Sequence, residues 1–249
     1  MIGKDVRAEM DPGTEGGSDP AMHPFFSDEP GGRGGRPFAL RLCLVTDPGM
    51  RWSRHLATCV LESIEGGVTA VQYRSKIADP DRAVREASDL AQVCHRAGVP
   101  IIVNDHIRVA LEAGCDGVHL GQSDDPVELA REILGDRAIV GLTVTGQEDV
   151  LRAPAALIDY FGLSSVFATS TKPDAPDPLG LDGIERVRRL TRVPIVAIGG
   201  INRSNAASCI RSGADGIAVV SAIMESPDPR AESAALWREI EGALDGAKD

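Results

Sequence analysis

From Phe38 to the end of the chain, short runs of β-branched and aliphatic residues alternate with longer amphipathic or Ala-rich stretches. The runs at 40–45, 70–73, 101–103, 117–120, 138–142, 160–163, 195–198 and 216–219 predict strands bounded by turn-forming residues. They are apolar on most positions rather than on alternate ones, as parallel strands covered on both faces should be. Between them the spacing predicts helices over 51–65, 81–97, 107–113, 127–134, 147–152, 181–190, 204–212 and 232–244. Eight strand–helix pairs in about 210 residues match a compact (β/α)8 barrel, the TIM barrel of the α/β class. An open doubly wound sheet usually carries fewer strands or a second domain.

Residues 1–37 break the pattern. Gly and Pro concentrate at 11–17 and 30–37 and aliphatic residues are few, so a disordered tail is expected ahead of a single barrel domain over 38–249. Charge narrows the function classes. With 26 Lys and Arg against 37 Asp and Glu, the net charge of −11 disfavours nucleic acid and anionic membrane surfaces as partners. No apolar run approaches the roughly 18 residues of a membrane helix, and the start lacks the apolar core of a secretion signal, so the chain is expected in the cytoplasm. The five cysteines, Cys43, Cys59, Cys94, Cys115 and Cys209, are scattered and form no C-x-x-C pair. They read as small apolar residues rather than a disulfide framework or zinc site. Oligomeric state is not legible, and a homo-oligomer stays open.

In a barrel of this kind, function belongs at the C-terminal ends of the strands, and unusual polar residues stand where each apolar run ends. After the second strand, Gln72, Arg74 and Lys76 share one face by the period of two. Facing inward, two cations and an amide would call for a compensating anion; facing outward, they are a strand end running into solvent. The third and fourth strands deliver Asp105 and Asp124 to the same rim. Two carboxylates beside cations fit a magnesium ion that also takes phosphate oxygens; equally, each Asp fits the N-cap of the following helix. His119 lies within a strand and reads as a hydrogen-bonded core residue.

After the sixth strand, residues 167–180 form a long loop rich in Pro and hydroxyls, as binding loops often are, and it carries Thr169, Thr171 and Lys172. Lysine occurs only at 4, 76, 172 and 248, so both lysines of the barrel body fall on the proposed rim. A flexible point charge suits a shifting phosphate better than the rigid Arg fork. Gly199-Gly200 after the seventh strand and Val220-Ser221 after the eighth match the loops where barrels build a phosphate cup from backbone N–H groups and a short helix. Flavin and sugar-phosphate barrels share that cup.

Taken in order, Leu44-Val45-Thr46-Asp47, Gln72-x-Arg74-x-Lys76, Asn104-Asp105, Gly117-Val-His-Leu-Gly-Gln122-x-Asp124, Thr169-x-Thr171-Lys172 and Ala197-Ile-Gly-Gly-Ile201 resemble the thiamine phosphate synthase family across nearly all of residues 40 to 224. The resemblance implies a TIM-barrel transferase that joins hydroxymethylpyrimidine diphosphate to thiazole phosphate, releasing diphosphate with Mg2+. It implies that Gln72, Arg74, Lys76, Asn104 and Lys172 bind the pyrimidine diphosphate and that Asp105 and Asp124 hold magnesium on its leaving group. Thr169, Thr171, Gly200 and the Val220-Ser221 backbone would bind the thiazole phosphate. Departure of diphosphate would leave a pyrimidine-stabilised carbocation that the thiazole nitrogen captures. Such chemistry asks for positioning and charge neutralisation rather than a strong base, with Arg74, Lys76, Lys172 and Thr143 as the acting side chains.

Two departures stand out. Where the family has Gly-x-Ser-x-His after strand five, this chain has Gly141-Leu-Thr143-Val-Thr145, keeping a hydroxyl at Thr143 and losing the imidazole. The family's Gly-Pro before the strand-six loop is Ser164-Ser165, which is expected to reshape the thiazole side. Alternatives are a related thiazole tautomerase, which needs the missing histidine, and a non-catalytic thiamine-phosphate-binding barrel. A flavin barrel ranks below both.

Overall fold

The computed structural model describes residues 40–47, 55–75, 79–169 and 177–246. The proposed tail, Lys76, Thr171 and Lys172 lie outside them. Eight parallel strands close into a barrel in sequence order: β1 (Leu42–Val45), β2 (Ala70–Tyr73), β3 (Ile101–Asn104), β4 (Gly117–Leu120), β5 (Ile139–Val144), β6 (Tyr160–Ser164), β7 (Ile195–Ile198) and β8 (Gly216–Val219). Helices α1 (Leu56–Glu65), α2 (Pro80–Arg96), α3 (Ile107–Glu112), α4 (Val127–Leu134), α5 (Gln147–Arg152), α6 (Gly180–Arg188) and α7 (Ala206–Arg211) follow the first seven strands. A four-residue helix, α8 (Ser221–Met224), precedes the closing helix α9 (Pro229–Asp245).

Side-chain alternation divides the core in two. Val71 and Tyr73 of β2 belong to the large apolar layer between strands and helices, whereas Ala70 points into the barrel with Cys43, Val45, Ile102, Ile139, Tyr160, Val196 and Ala218. Burial pushes the interior Cys43 thiol up to about 12, so it sits in the packing as an inert protonated group. Helices α2, α6 and α9 start earlier than periodicity predicts. Asp79 before Pro80 caps α2 by accepting from the Asp81 and Arg82 N–H groups, and Asp228 before Pro229 caps α9 by accepting from Ala231 N–H. An acidic cap followed by Pro at the first helical position is itself a start signal.

The bottom of the barrel carries one device four times. The residue just before each even-numbered strand accepts a hydrogen bond from an early N–H of the preceding odd strand: Leu42 to Thr69 Oγ1 (3.1 Å), Ile101 to Asp116 Oδ2 (3.0 Å), Val140 to Asp159 Oδ2 (2.8 Å) and Ile195 to Asp215 Oδ2 (2.7 Å). The three carboxylates each also meet a basic side chain, His95, Arg131 and Arg188 respectively. These clamps pin the register where no chemistry is done, leaving the opposite rim to irregular backbone.

Candidate active site

A cavity of about 770 Å³ opens at the C-terminal ends of the strands. On one side it is lined by Gln72, Arg74, Asn104, Asp105, Asp124 and Thr143, and on the other by Thr169, Gly200, Val220 and Ser221. Every proposed site residue within the described segments is thus on one wall or the other of a single cavity.

Arg74 is held rather than loose. Its Nη1 donates to the buried Asp47 at 2.9 Å, and its backbone N–H donates to Thr46 Oγ1 at 3.0 Å. The anion that a partly buried guanidinium calls for is supplied just past the end of β1. Thr46-Asp47 closes the first motif of the chain but carries no role in the sequence reading; the signal was a polar pair at the end of an apolar run.

Asp105 and Asp124 hydrogen-bond each other through their carboxyl groups. Neither caps a helix: the N-cap positions of α3 and α4 are His106 and Pro126, without side-chain cap bonds. Asp124 instead accepts from Gly121 N–H at 2.6 Å, closing its own turn, and Asp105 donates its N–H to His119 O at 2.8 Å. Burial, the bond to Asp124 and the Asp124 charge push Asp105 up to about 6, against the opposing pull of His106 and Arg74. Asp105 also has φ 66°, the one positive φ outside glycine among the described residues. Backbone strain of this kind concentrates at functional sites. Two adjacent carboxylates, one reluctant to ionise beside the other, form the donor set that magnesium takes when substrate oxygens and water complete its shell. No group of three or more His, Cys, Asp and Glu able to hold a metal occurs among the described residues, which leaves the remaining positions to such ligands.

A buried polar chain runs beneath the cavity. His119 Nε2 lies 2.8 Å from Thr143 Oγ1 and its Nδ1 lies 2.9 Å from Tyr160 Oη. Burial lowers His119 to about 4, so at neutral pH it is an uncharged ring inside the core. The register explains the meeting of the rings: His119 pairs with Gly141, and Gly141 with Tyr160. A Cβ on Gly141 would lie 2.3 Å from Tyr160 and 2.5 Å from His119, and one on Gly162 would lie 2.7 Å from His119. Both glycines make room for this chain.

On the far wall Gly199 and Gly200 have φ 103° and 64°, and a Cβ would meet Ser165 Oγ at 2.0 Å or Ala168 O at 2.4 Å. Ser165 is buried with its hydroxyl donated to Phe167 O at 3.1 Å, so the Ser164-Ser165 pair backs the glycine turn. Asn205 Nδ2 donates to Gly200 O at 3.0 Å and holds that turn from outside.

A model of the thiamine monophosphate synthase family matches residues 42–223. The chain belongs to this family. A thiamine-phosphate synthase of Chloroflexus aurantiacus is 46% identical over 196 residues, spanning 79% of this chain and 90% of the relative. One of Albidiferax ferrireducens is 47% identical over 191 residues, spanning 77% and 87%. The solved structure of a thiamine phosphate pyrophosphorylase from Pyrococcus furiosus matches with a TM-score of 0.75 at 36% identity, covering 82% of this chain and 97% of that one. As a member of the thiamine-phosphate synthase family, the chain is a transferase. Its departures from the family pattern now have surroundings. Thr143 keeps its hydroxyl at the cavity, whereas the N–H and hydroxyl of Thr145 both go to Asp149 Oδ2 at 2.8 Å.

Proposed function

We propose that the cavity couples the pyrimidine diphosphate to thiazole phosphate, giving thiamine phosphate and diphosphate. The observation that carries this reading is the Asp105–Asp124 pair beside the anchored Arg74, facing the Gly200 and Ser221 wall across one cavity. Gln72 and Asn104 would seat the pyrimidine. Arg74, Thr143, Lys76 and Lys172 would hold the diphosphate. Thr169, Thr171, Gly200, Val220 and Ser221 would hold the thiazole phosphate, placing its ring nitrogen against the pyrimidine methylene.

Magnesium on Asp105 and Asp124 would neutralise charge that develops on the leaving diphosphate. The protein's own work is orientation and charge compensation. Asp47 keeps Arg74 aimed, and the donors of the rim face the oxygens that gain charge as the carbon–oxygen bond breaks. No side chain need act as a strong base, and the one histidine of the chain beneath the cavity is neutral and hydrogen-bonded at both nitrogens. That argues against a tautomerase, as does the engagement of Thr145 by Asp149.

The same reading takes residues 1–37 as a tail before a barrel domain and places the enzyme in the cytoplasm. In support, no helix among the described residues is long and apolar enough to cross a membrane. Mixing the purified protein with both substrates and magnesium tests the reaction: thiamine phosphate and diphosphate should appear in equal amounts. Tight binding of thiamine phosphate with no synthesis would replace it by the non-catalytic binding barrel, and aromatisation of the thiazole without diphosphate chemistry by the tautomerase.

A further inference from the structure

Where the chain leaves β7, three successive carbonyls are taken up by neighbours. Ile198 O accepts from Val166 N–H at 2.9 Å, Gly199 O from Phe167 N–H at 3.0 Å and Gly200 O from the Asn205 side chain, through Nδ2, at 3.0 Å. The N–H groups of Gly199, Gly200 and Ile201 donate to nothing among the described residues. The Gly200–Ile201 peptide is trans, so the Ile201 N–H points the opposite way from the Gly200 carbonyl. Gly200 and Ile201 line the cavity, whereas Asn205 stands outside its wall at the start of α7. A carbonyl drawn outward by Asn205 therefore turns the next N–H inward.

The amide of Asn205 is fixed in this sense by its second bond. Its Oδ1 accepts from Asn202 N–H at 2.9 Å while Nδ2 serves Gly200 O. The flipped amide would set acceptor against acceptor and donor against donor. Glycine tolerates the φ of 64° at position 200 but does not impose it, so the turn needs an outside hold. We infer that Asn205 is a positioning residue for the thiazole phosphate: it fixes the Gly200 peptide so that the Ile201 N–H is aimed at a phosphate oxygen. This rests on the proposed reaction, in which the Gly200 wall takes that phosphate. A backbone donor set in advance needs no rearrangement when the anion arrives.

NMR of the wild-type protein carrying nitrogen-labelled isoleucine gives the direct reading, with the Ile201 amide assigned by its loss in Ile201→Val. Adding inorganic phosphate should move the Ile201 amide proton downfield. An amide that stays in place overturns the inference, even should the Asn205 variant fail to fold. In folded Asn205→Ala the shift should be lost; a shift of wild-type size would show that the donor is aimed without Asn205. Steady-state kinetics separate positioning from a merely structural role. In Asn205→Ala the KM for thiazole phosphate should rise at least about tenfold, the usual worth of a hydrogen bond to a charged group. The KM for the pyrimidine diphosphate should stay within about twofold, since its own contacts are untouched. Equal rises for both substrates, or a rise for neither, would count against Asn205. If the wild type makes no thiamine phosphate, it is the proposed reaction that fails, and the phosphate titration of the Ile201 amide still judges Asn205.

Discussion

Asp105 combines a strained backbone with a carboxyl that resists ionisation, and both features follow from its place at the end of β3 against Asp124. Its folded pKa of about 6 lies above the roughly 3.9 of an unfolded Asp. Without metal, therefore, the folded state binds more protons between those values, and stability falls as pH rises through that window. Asp105→Asn removes the titrating charge. Metal-free Asp105→Asn should melt above the wild type at about pH 7.5, with the gap shrinking toward about pH 4; a gap that does not depend on pH in thermal melts contradicts the assignment. At this scale the sequence was legible where chemistry demands a rare residue type in a rare place, as with Arg74, Asp105 and Asp124. It was silent on how those residues are held. Asp47 anchors Arg74, and Tyr160 meets His119, through contacts between strands that only register and barrel closure create.

At the scale of elements, the predicted strands match the observed ones within two residues, because fully covered parallel strands form continuous apolar runs that end abruptly in Gly or polar residues. The misses have local causes. α9 begins at Pro229 because Asp228 caps it, a signal that hydrophobic spacing does not contain. α8 is four residues long, too short for any period to register. The fourfold clamp at the barrel bottom was equally hidden, since it pairs residues 15 to 27 positions apart. Its members differ in burial. In the Arg131–Asp159 pair the side chains are 6% and 2% exposed, whereas His95 opposite Asp116 is 45% exposed. Asp159→Ala should therefore lower stability by about 3–5 kcal/mol, because the buried guanidinium keeps its carbonyl acceptors but loses its counter-charge. Asp116→Ala should cost about 1 kcal/mol, as solvent replaces much of the lost pair. Denaturant unfolding of the two variants measures the difference, and equal losses would show that burial does not set the value of the clamp.

For the whole molecule, a net charge of −11 is compatible with small anionic substrates because charge is local. Arg74 lines the cavity at the rim although the chain as a whole is acidic. The family match spans residues 42–223 and the barrel closes from Leu42, so residues 1–37 lie ahead of the matched unit. A chain starting at Phe38 should keep kcat/KM within about twofold of the full chain; a large loss in steady-state assays would give the first 37 residues a part in the site. In the proposed reaction, turnover depends on the carboxylate pair at the mouth of β3 and β4. That dependence is tested most directly by the rate of thiamine phosphate formation in Asp105→Ala under saturating magnesium, with the fold checked by circular dichroism. A loss of at least about a hundredfold in kcat is expected. A folded variant that turns over near the wild-type rate would contradict it.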